Sequence, residues 1–537
     1  MDNGEARPQQ MAVDFGTSNT IVAFWDAEKK DVVLHPVKDV TRPFFYRYNG
    51  RRYEIPCIPS MISYQDRNIS FIGSQVLDRM LENSRGTFRW MKAYIQEGRR
   101  IKYELADGSQ VDFFDAGRDF LEKVLLFAAA SGHVDVRSAE IAFTVPVEAF
   151  ESYTDWLSET CRSLGIRRYR FIDESTACIF GYDTHLQPRD MFMIFDFGGG
   201  TLDISIVRIE EQVDRGRGCR VLGKAGCRVG GRSIDGWLYA DLLQRAGIQA
   251  VDARPASALF IQQVEIIKER LSDHESREYD IVHRPSGLRL AGVYHRSDLE
   301  DLLEEKGLYR NVRETMERAE KRAYERGVAR EHIKDVLLVG GTSLIPSVRR
   351  MVSSVYRNVR SYRPFDAVAR GACRYLTSDI ETLYDHIQHD YAIKSYDTNS
   401  RTHRFISLVP RGTRYPTAPG FKKLSLRPTR DGQRFFGVDI YEVAEKGTSG
   451  SGRGEIIFDL NGSVVFDSGA ANALTGTEFW MNENNPTFIE ADPVARHGDK
   501  RFAVSFRVGA NKNLRVTVRD LLTRRLVFDD YPVVKLR

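Results

Sequence analysis

The stretch that decides the fold is MIFDFGGGTLD, residues 193–203, and a similar stretch, MAVDFGTSNT, occupies residues 11–20. In each, a short apolar run ends in an aspartate, Asp14 or Asp196, and a glycine turn follows. Glycine lets backbone N–H groups approach an anion that any Cβ would hold off. A second apolar run then predicts a hairpin. Either stretch alone fits an ordinary hairpin as well as an anion site, because short motifs recur by chance.

A third stretch, DVLLVGGTSLIP, covers residues 335–346 and again predicts a strand followed by two glycines. Here a helix is expected next, with Pro346 near its first turn, where a missing N–H costs nothing. Two acidic strand ends beside a polyphosphate need a cation between them, so the sequence predicts Mg²⁺ together with a nucleotide. The three stretches together favour a nucleotide site over three unrelated turns.

The order of these motifs resembles the phosphate-1, phosphate-2 and adenosine motifs of the actin-like ATPases. Further segments resemble, in order, motifs of the heat-shock-70 chaperones within that superfamily: IAFTVPV (141–147), FIDESTA (171–177), VGGRSID (229–235) and FDAVARGA (365–372). The resemblance implies an α/β actin-like ATPase domain with two lobes and ribonuclease H-like subdomains. It is specific over residues 11–376 and moderate beyond residue 393.

One change of pattern divides the chain. Strand and helix patterns alternate in the first part, whereas the tail shows period-two alternation separated by Gly, Asn and Asp turns. We predict an ATPase domain over residues 1–380, a linker over 381–392 and an all-β sandwich over 393–537, which resembles the chaperones' substrate-binding domain. The printed chain ends after this sandwich, so the resemblance implies a variant without the family's helical lid. Its linker is polar where the family's is leucine-rich.

The resemblance assigns the catalytic chemistry to five residues. Asp14 and Asp196 are expected to hold Mg²⁺ largely through its water shell, and Asp196 also to orient the attacking water. Lys92, in a segment expected to be a strand, is the candidate cation beside the γ-phosphate, with a surface lysine as the simpler alternative. Glu174 is expected at the start of a helix, where it is either a catalytic carboxylate or an N-terminal charge. Thr201 completes the catalytic set.

The same resemblance implies which residues bind the nucleotide. The phosphates would be contacted from one side by Gly16, Thr17, Ser18 and Asn19, and from the other by Gly198, Gly199, Gly200 and Thr201. The remaining contacts would come from Gly230, Gly231, Glu265, Lys268, Ser272, Gly340, Gly341 and Thr342. Helical spacing places Glu265, Lys268 and Ser272 on one face, although charged residues at that spacing usually form a solvated face.

Three positions depart from the family. Glu269 stands where the chaperones place an arginine that packs on adenine, and Leu344 stands where they place another arginine. Arg232 occupies a position that is usually acidic. The residues for the phosphates are intact, so the resemblance supports the phosphate chemistry more strongly than adenine stacking.

Composition limits the function classes. There are 78 Lys and Arg against 74 Asp and Glu, and this net charge of +4 is too balanced for a nucleic-acid binder. The apolar runs are shorter than the ~18–20 residues of a membrane span. The six cysteines include no C-x-x-C pair, which favours reduced buried thiols. We expect a cytoplasmic, monomeric protein that binds neither nucleic acid nor membrane.

Three function classes remain open. The first is a slow ATPase and chaperone that binds an unfolded peptide, with a co-chaperone or nucleotide-exchange factor as further partners. Its peptide cleft would be lined by Leu426, Phe436 and Val438, for which ordinary sandwich core is the simpler alternative. The second is a nucleotide-gated scaffold with one dedicated protein client and weak ATPase activity. The third is an actin-like kinase or filament protein. In each case the cofactors are ATP or ADP and Mg²⁺.

Overall fold

The computed structural model divides the 537-residue chain into two compact units. The first comprises Met1–Ala149, Tyr153–Leu383 and Gly447–Leu474, and the second Phe150–Ser152, Tyr384–Lys446 and Thr475–Arg537. The structure describes residues 9–48, 51–82, 84–96, 98, 100–131, 134–146, 151–182, 186–212, 216–377, 381–383, 387, 389–397, 402–413, 415–443, 455–458, 464–467, 478–482, 487–509 and 512–536.

The first lobe of the first unit, lobe I, covers residues 10–181. Its strands are β1 (Gln10–Phe15), β2 (Asn19–Asp26), β3 (Asp31–Val33), β4 (Arg42–Tyr48), β5 (Arg51–Pro59), β6 (Met61–Tyr64), β7 (Ser70–Ile72), β8 (Thr87–Arg89), β9 (Tyr103–Glu104), β10 (Gln110–Val111), β11 (Glu140–Val145) and β12 (Arg168–Asp173). Its helices are α1 (Ser74–Asp78), α2 (Met91–Gln96), α3 (Phe113–Ala130), α4 (Glu151–Ser163) and α5 (Glu174–Gly181).

Lobe II covers residues 191–383. Its strands are β13 (Met191–Phe197), β14 (Leu202–Gln212), β15 (Gly216–Cys227), β16 (Ser276–His283), β17 (Leu288–His295), β18 (Asp335–Val339), β19 (Val359–Arg360) and β20 (Glu381–Leu383). Its helices are α6 (Gly231–Arg245), α7 (Ser257–Asp273), α8 (Arg296–Glu305), α9 (Leu308–Tyr324) and α10 (Pro346–Val355), with short 3₁₀ turns at Arg254–Ala256, Arg330–His332 and Gly341–Leu344. The helix α11 (Ala367–Thr377) follows in the chain but packs against β1, β2, β11 and α5 of lobe I.

The two lobes repeat one strand plan. In lobe I the sheet order is β12-β11-β1-β2-β5-β4, and in lobe II it is β19-β18-β13-β14-β15-β20. In each sheet the central strand, β1 or β13, pairs antiparallel with the strand that follows it and parallel with a later strand. Both central strands are almost wholly buried apolar runs, as expected of strands covered on both faces. Each therefore delivers its terminal aspartate and glycine turn to one edge of its sheet.

The helices α5 and α11 cross at unusually short range because glycines form the crossing. A Cβ on Gly181 would lie 1.7 Å from the Ala367 carbonyl oxygen, and one on Gly371 would lie 1.6 Å from that of Ala177. Only glycine allows the two backbones to approach this closely. The crossing fixes α5, whose first residue is Glu174, against the helix that follows the lobe II sheet.

The charged helix α9 covers the edge of β15 with a ladder of arginines. Arg318 and Arg322 of α9, and Arg326 just beyond its end, donate to carbonyls of alternate strand residues: Arg318 to Gly226, Arg322 to Lys224 and Arg326 to Leu222. Four helical residues rise about 6 Å, nearly the length of two strand residues, so the ladder stays in register. Its carbonyl contacts cover an otherwise exposed edge.

From Tyr384 onward the described residues form strands and no helix. These are β21 (Asp390–Asp397), β22 (Thr402–Val409), β23 (Lys422–Leu426), β24 (Gln433–Val438), β25 (Ile440–Val443), β26 (Glu455–Phe458), β27 (Val464–Asp467), β28 (Glu478–Trp480), β29 (Thr487–Ala495), β30 (Phe502–Val508), β31 (Asn513–Asp520) and β32 (Leu526–Lys535). Sheets β22-β21-β25-β28 and β23-β30-β31-β32 and the ribbon β24-β29 contribute to one apolar core. Of the predicted linker, residues 384–386 and 388 lie outside the described residues.

Candidate functional site

The two glycine turns face each other across a cleft in the first unit. A Cβ on Gly199 would lie 2.6 Å from the Ser18 hydroxyl oxygen, and one on Gly200 would lie 3.6 Å from that of Thr17. On the other turn, a Cβ on Gly16 would lie 2.2 Å from the Asn19 carbonyl oxygen. Residues 16–18 and residues 198–201, which we call the phosphate-1 and phosphate-2 loops, thus meet tip to tip.

The start of α6 supports the phosphate-2 loop from behind. The Gly231 N–H donates to the Gly198 carbonyl at 3.1 Å, and the Arg232 N–H donates to the Gly199 carbonyl at 2.8 Å. Gly230 must be glycine, because its Cβ would lie 2.6 Å from the Gly200 carbonyl carbon. Gly230 and Gly231, which the sequence predicts to bind the nucleotide, therefore lie against the phosphate-2 loop.

The third glycine stretch lies against the same loop. Gly340 follows β18 with a φ of 79°, and a Cβ there would lie 2.3 Å from the Phe197 carbonyl oxygen. Thr342 donates its hydroxyl to the Gly198 carbonyl at 2.8 Å. Pro346 begins α10, as the sequence predicts. Gly341 borders Phe365, whose ring would lie 3.1 Å from a Cβ at that glycine.

Lys92 and Glu174 form a buried ion pair beside these loops. The Lys92 Nζ lies 2.6 Å from Glu174 Oε1, and the two side chains are 7% and 14% exposed. Burial acts to lower the pKa of Lys92, but Glu174, Tyr153 and Asp14 raise it, and the net shift is upward. Glu174 begins α5, as predicted. The prediction that Lys92 lies on a strand is wrong, because Lys92 is the second residue of helix α2.

Asp14 lies at the end of β1 beside this ion pair. Burial raises the pKa of Asp14 to about 6, and Lys92 opposes the rise more strongly than any other neighbour. The Thr144 hydroxyl donates to Asp14 Oδ1 at 2.7 Å. The sheet register explains this bond. Strands β1 and β11 pair in parallel with Val13 opposite Phe143, so the next residues on the two strands, Asp14 and Thr144, are also neighbours.

Asp196 lies at the end of β13 among other carboxylates. Burial raises the pKa of Asp196 well above its usual range, and Glu174, Asp203 and Asp14 raise it further, while Lys92 acts in the opposite direction. Asp203 is paired opposite Asp196 in the hairpin and accepts a 2.7 Å hydrogen bond from the Thr201 hydroxyl. One ammonium group thus faces several carboxylates, a donor set that a divalent cation would neutralise.

The chemistry of the donor set fits magnesium held through water rather than directly. Within the described residues, no group of three or more His, Cys, Asp and Glu side chains is arranged to hold a metal ion. Mg²⁺ usually keeps several waters and uses one or two carboxylates together with substrate phosphates. Asp14 and Asp196 supply two carboxylates at the two facing tips.

The predicted nucleoside face of α7 is largely engaged in ion pairs. Glu265 accepts from Arg89 at 2.7 and 3.0 Å, and Lys268 pairs with Asp235 at 2.7 Å while donating to the Gly231 carbonyl at 3.2 Å. Ser272 is half-buried near the end of the helix. Lys268 thus reaches the predicted glycines, whereas Glu265 holds an arginine from lobe I.

Sequence reasoning missed three residues that lie near the strand-end aspartates and the Lys92–Glu174 ion pair. They are Thr144, Tyr153 and Asp203. Thr144 and Asp203 lie inside motifs quoted above, so the position of each within its motif could have marked it as a site residue. Tyr153 lies outside these motifs. It is fully buried, its hydroxyl has no hydrogen-bond partner within the described part of the chain, and Lys92, Glu174 and Asp14 are its strongest charged neighbours.

The predicted peptide-cleft residues lie in the second unit. Phe436 and Val438 are buried in its apolar core, and Leu426 packs against that core half-buried. The side chains of Phe435 and Phe488, on the ribbon β24-β29, are instead each 57% exposed. In the ribbon register Gly437 is opposite Phe488, so the two phenylalanines are diagonal neighbours on the outer face.

Comparison with known proteins agrees with the motifs. A model of the Hsp70 protein family matches residues 140–391. The chain is similar to chaperone protein HscA homologs of Methylococcus capsulatus, at 24% identity over 87% of this chain and 74% of the relative, and of Cupriavidus taiwanensis, at 23% over 86% and 72%. It is also similar to chaperone protein DnaK of Thermus thermophilus, at 23% identity over 90% of this chain and 82% of the relative.

The chain is thus similar to heat-shock-70 chaperones over most of its length. The chain has two facing glycine loops and shares about a quarter of its residues with these relatives. No helix in the described parts of the chain is both long and apolar enough to span a membrane.

Proposed function

We propose that this protein is a slow ATPase and chaperone: it binds Mg²⁺·ATP between lobes I and II, and its nucleotide state governs how the second unit binds a peptide or protein client. One observation carries the proposal. Two glycine loops from repeated sheets meet tip to tip above a cluster formed by Asp14, Lys92, Glu174 and Asp196. Glycine loops with hydroxyls suit a polyphosphate, and carboxylates suit its cation.

The roles of the side chains follow from their surroundings. Thr17 and Ser18 on one tip and Thr201 on the other offer hydroxyls to phosphate oxygens. Lys92 keeps its positive charge because its pKa is raised, and it would neutralise charge on the transferred phosphoryl group. When bound, Mg²⁺ would neutralise the phosphate oxygens further. Phosphoryl transfer requires mainly positioning and charge neutralisation, which these groups provide.

Asp196 is the residue that we assign to the attacking water. Burial and the nearby carboxylates Glu174, Asp203 and Asp14 raise the pKa of Asp196, and a raised pKa makes a carboxylate a stronger proton acceptor. Asp14, which Thr144 stabilises as an anion, suits the role of holding the cation's water shell.

Client binding is assigned to the second unit by resemblance to the chaperones. Phe436 and Val438 serve its core, so we assign client contact to the half-buried Leu426 and to the exposed pair Phe435 and Phe488. Exposed apolar side chains in adjacent positions favour binding of apolar peptide segments.

The proposal is tested by measuring ATP binding and turnover with the whole chain. Calorimetric titration with Mg²⁺·ATP is expected to show one site, and single-turnover hydrolysis is expected to be slow. An unfolded, apolar peptide should alter the hydrolysis rate, and Phe435→Ser with Phe488→Ser should weaken peptide binding while leaving ATP affinity unchanged. Absence of ATP binding would refute the ATPase assignment. ATP turnover that ignores every peptide would refute the chaperone assignment alone.

A further inference from the structure

Arg232 makes contacts that the proposed function does not use. It is the second residue of α6 in lobe II, and its N–H donates to the Gly199 carbonyl of the phosphate-2 loop at 2.8 Å. Its side chain reaches lobe I. The guanidinium carbon lies 5.2 Å from the centroid of the Trp90 ring and 5.8 Å from that of Tyr94. Both distances are within the range of a cation–π interaction.

Trp90 has a backbone conformation that bulky residues avoid. Its φ is 59°, in the left-handed region, and its side chain is 4% exposed. A non-glycine residue in this region persists only where surrounding contacts impose it, and such residues cluster at functional sites. The guanidinium of Arg89 also lies 5.2 Å from the Trp90 ring, and Arg89 is itself fixed by Glu265. The Trp90 indole thus contacts one arginine from each lobe, Arg89 of lobe I and Arg232 of lobe II.

The position of Trp90 matters because α2 begins directly after it. This helix has only 6 residues, and its second residue is Lys92. The backbone direction at Trp90 therefore sets where the Lys92 ammonium points. A continuous path of contacts runs from the phosphate-2 loop through Arg232 and Trp90 to Lys92.

We propose that Arg232 is a positioning residue for ATP hydrolysis. Its contacts with Trp90 and Tyr94 connect the phosphate-2 loop of lobe II to the start of α2 in lobe I, and so hold the Lys92 ammonium in place for the phosphoryl group. This inference rests on the proposed function. It differs from a binding role, because the guanidinium contacts protein rings and the effect on the ligand passes through Lys92.

The test compares Arg232→Leu and Arg232→Lys with a matched control, Arg228→Leu, at an exposed position four residues earlier. Loss of a shielded cation–π contact should lower kcat about tenfold in R232L. The Kd for ATP, measured by calorimetry, should stay within about twofold of the wild-type value, since a role limited to the transition state leaves binding unchanged. R232K should recover part of kcat, and R228L should behave as wild type.

Tryptophan emission gives a readout that does not depend on turnover. Addition of Mg²⁺·ADP should change the emission of the wild type and R228L, and Trp90→Phe should remove most of that change. R232L should remove it as well. Should R232L fail to fold, the ATP turnover and the tryptophan emission are measured with R232K and W90F instead.

Two results would overturn the positioning role: R232L indistinguishable from R228L, or R232L weakening ATP binding as much as it slows turnover. The second would make Arg232 a direct nucleotide ligand. A wild-type protein that binds no ATP would instead refute the proposed function, and calorimetry distinguishes that failure from the other two.

Discussion

The hairpins β1–β2 and β13–β14 end in the same order of strand, aspartate and glycine, yet their aspartates have different neighbours. Asp14 accepts a hydrogen bond from Thr144, and Lys92 is the strongest charge acting on it. Asp196 has Glu174 and then Asp203 as its strongest charged neighbours. Repetition of the backbone plan therefore gives two turns that can face one ligand, while the residues around each turn give the two carboxylates different charged neighbours.

Under the proposed function, these different neighbours suit the two aspartates to separate tasks, although their sequence motifs look alike. A carboxylate held as an anion by a hydroxyl and an ammonium is suited to a cation. A carboxylate that other carboxylates push towards protonation is suited to accept a proton from water. The same logic separates acid and base in other two-carboxylate sites. Substitutions at the two positions should therefore give different losses.

The largest effect is expected for Asp196→Asn. Asparagine keeps the shape of the side chain but removes its basicity, so single-turnover hydrolysis should fall about 100-fold or more, the usual contribution of general-base catalysis. ATP affinity by calorimetry should change far less. The matched control is Asp190→Asn near the other end of the hairpin, where Asp190 pairs with Lys334. Wild-type turnover in D196N would remove Asp196 from the catalytic set.

The next effect is expected for Lys92→Met, in both activity and stability. It removes the cation from the phosphates and leaves Glu174 buried without its partner, so the free energy of unfolding should fall by about 3–5 kcal/mol. Denaturant unfolding measures this loss.

The double variant Lys92→Met with Glu174→Gln serves as the control. It removes both charges, so it should regain most of the stability but not the hydrolysis. Hydrolysis restored in the double variant would show that Lys92 serves the fold and not the chemistry.

Local sequence patterns were sufficient to predict the parts of the site that depend on neighbouring residues in the chain. The glycine turns, Glu174 at the start of a helix and Pro346 at the start of α10 all depend on a few adjacent residues. The resemblance of the chain to an α/β family was likewise visible in the order of its motifs. The assignment of roles to these residues stays a prediction.

The rest of the site depends on contacts between distant segments. Thr144 meets Asp14 only because β11 pairs with β1 in one register, and Tyr153 arrives through α4. The helix at Lys92 was missed because the resemblance places this lysine on a strand, and the matching segment is too short to show a helical period. The left-handed conformation at Trp90 has no signature in sequence, because the residue type disfavours it and only tertiary contacts impose it.

A smaller effect, on stability alone, is expected from Asp14 in the nucleotide-free protein. Its pKa is raised to about 6 by burial, against 3.8 for an ordinary aspartate. Between these values the folded state holds more protons than the unfolded state, so the free energy of unfolding falls as pH rises through about 4 to 6. The wild type should therefore lose up to about 3 kcal/mol more than Asp14→Asn between pH 4 and 7.

Denaturant unfolding of both proteins across that range checks the Asp14 prediction. Asp14 itself raises the pKa of Asp196, so the difference between the two curves reports Asp14 together with its interaction with Asp196. Parallel curves would show that Asp14 is not perturbed in the folded protein.

The smallest effect, and the one that separates ligand contact from packing, is expected for Tyr153→Phe. The buried Tyr153 hydroxyl has no partner among the residues that the structure describes, so its removal should leave the nucleotide-free protein equally stable or slightly more stable. A hydroxyl placed near Lys92 and Asp14 is suited to bind water or a phosphate oxygen, and its loss should then slow hydrolysis about fivefold, the value of one neutral hydrogen bond. Melting temperatures and single-turnover rates give the two readouts, with Tyr169→Phe on β12 as the control. Destabilisation without a change in rate would instead mean that the hydroxyl stabilises the core of lobe I. Tyr153 would then not belong to the nucleotide site.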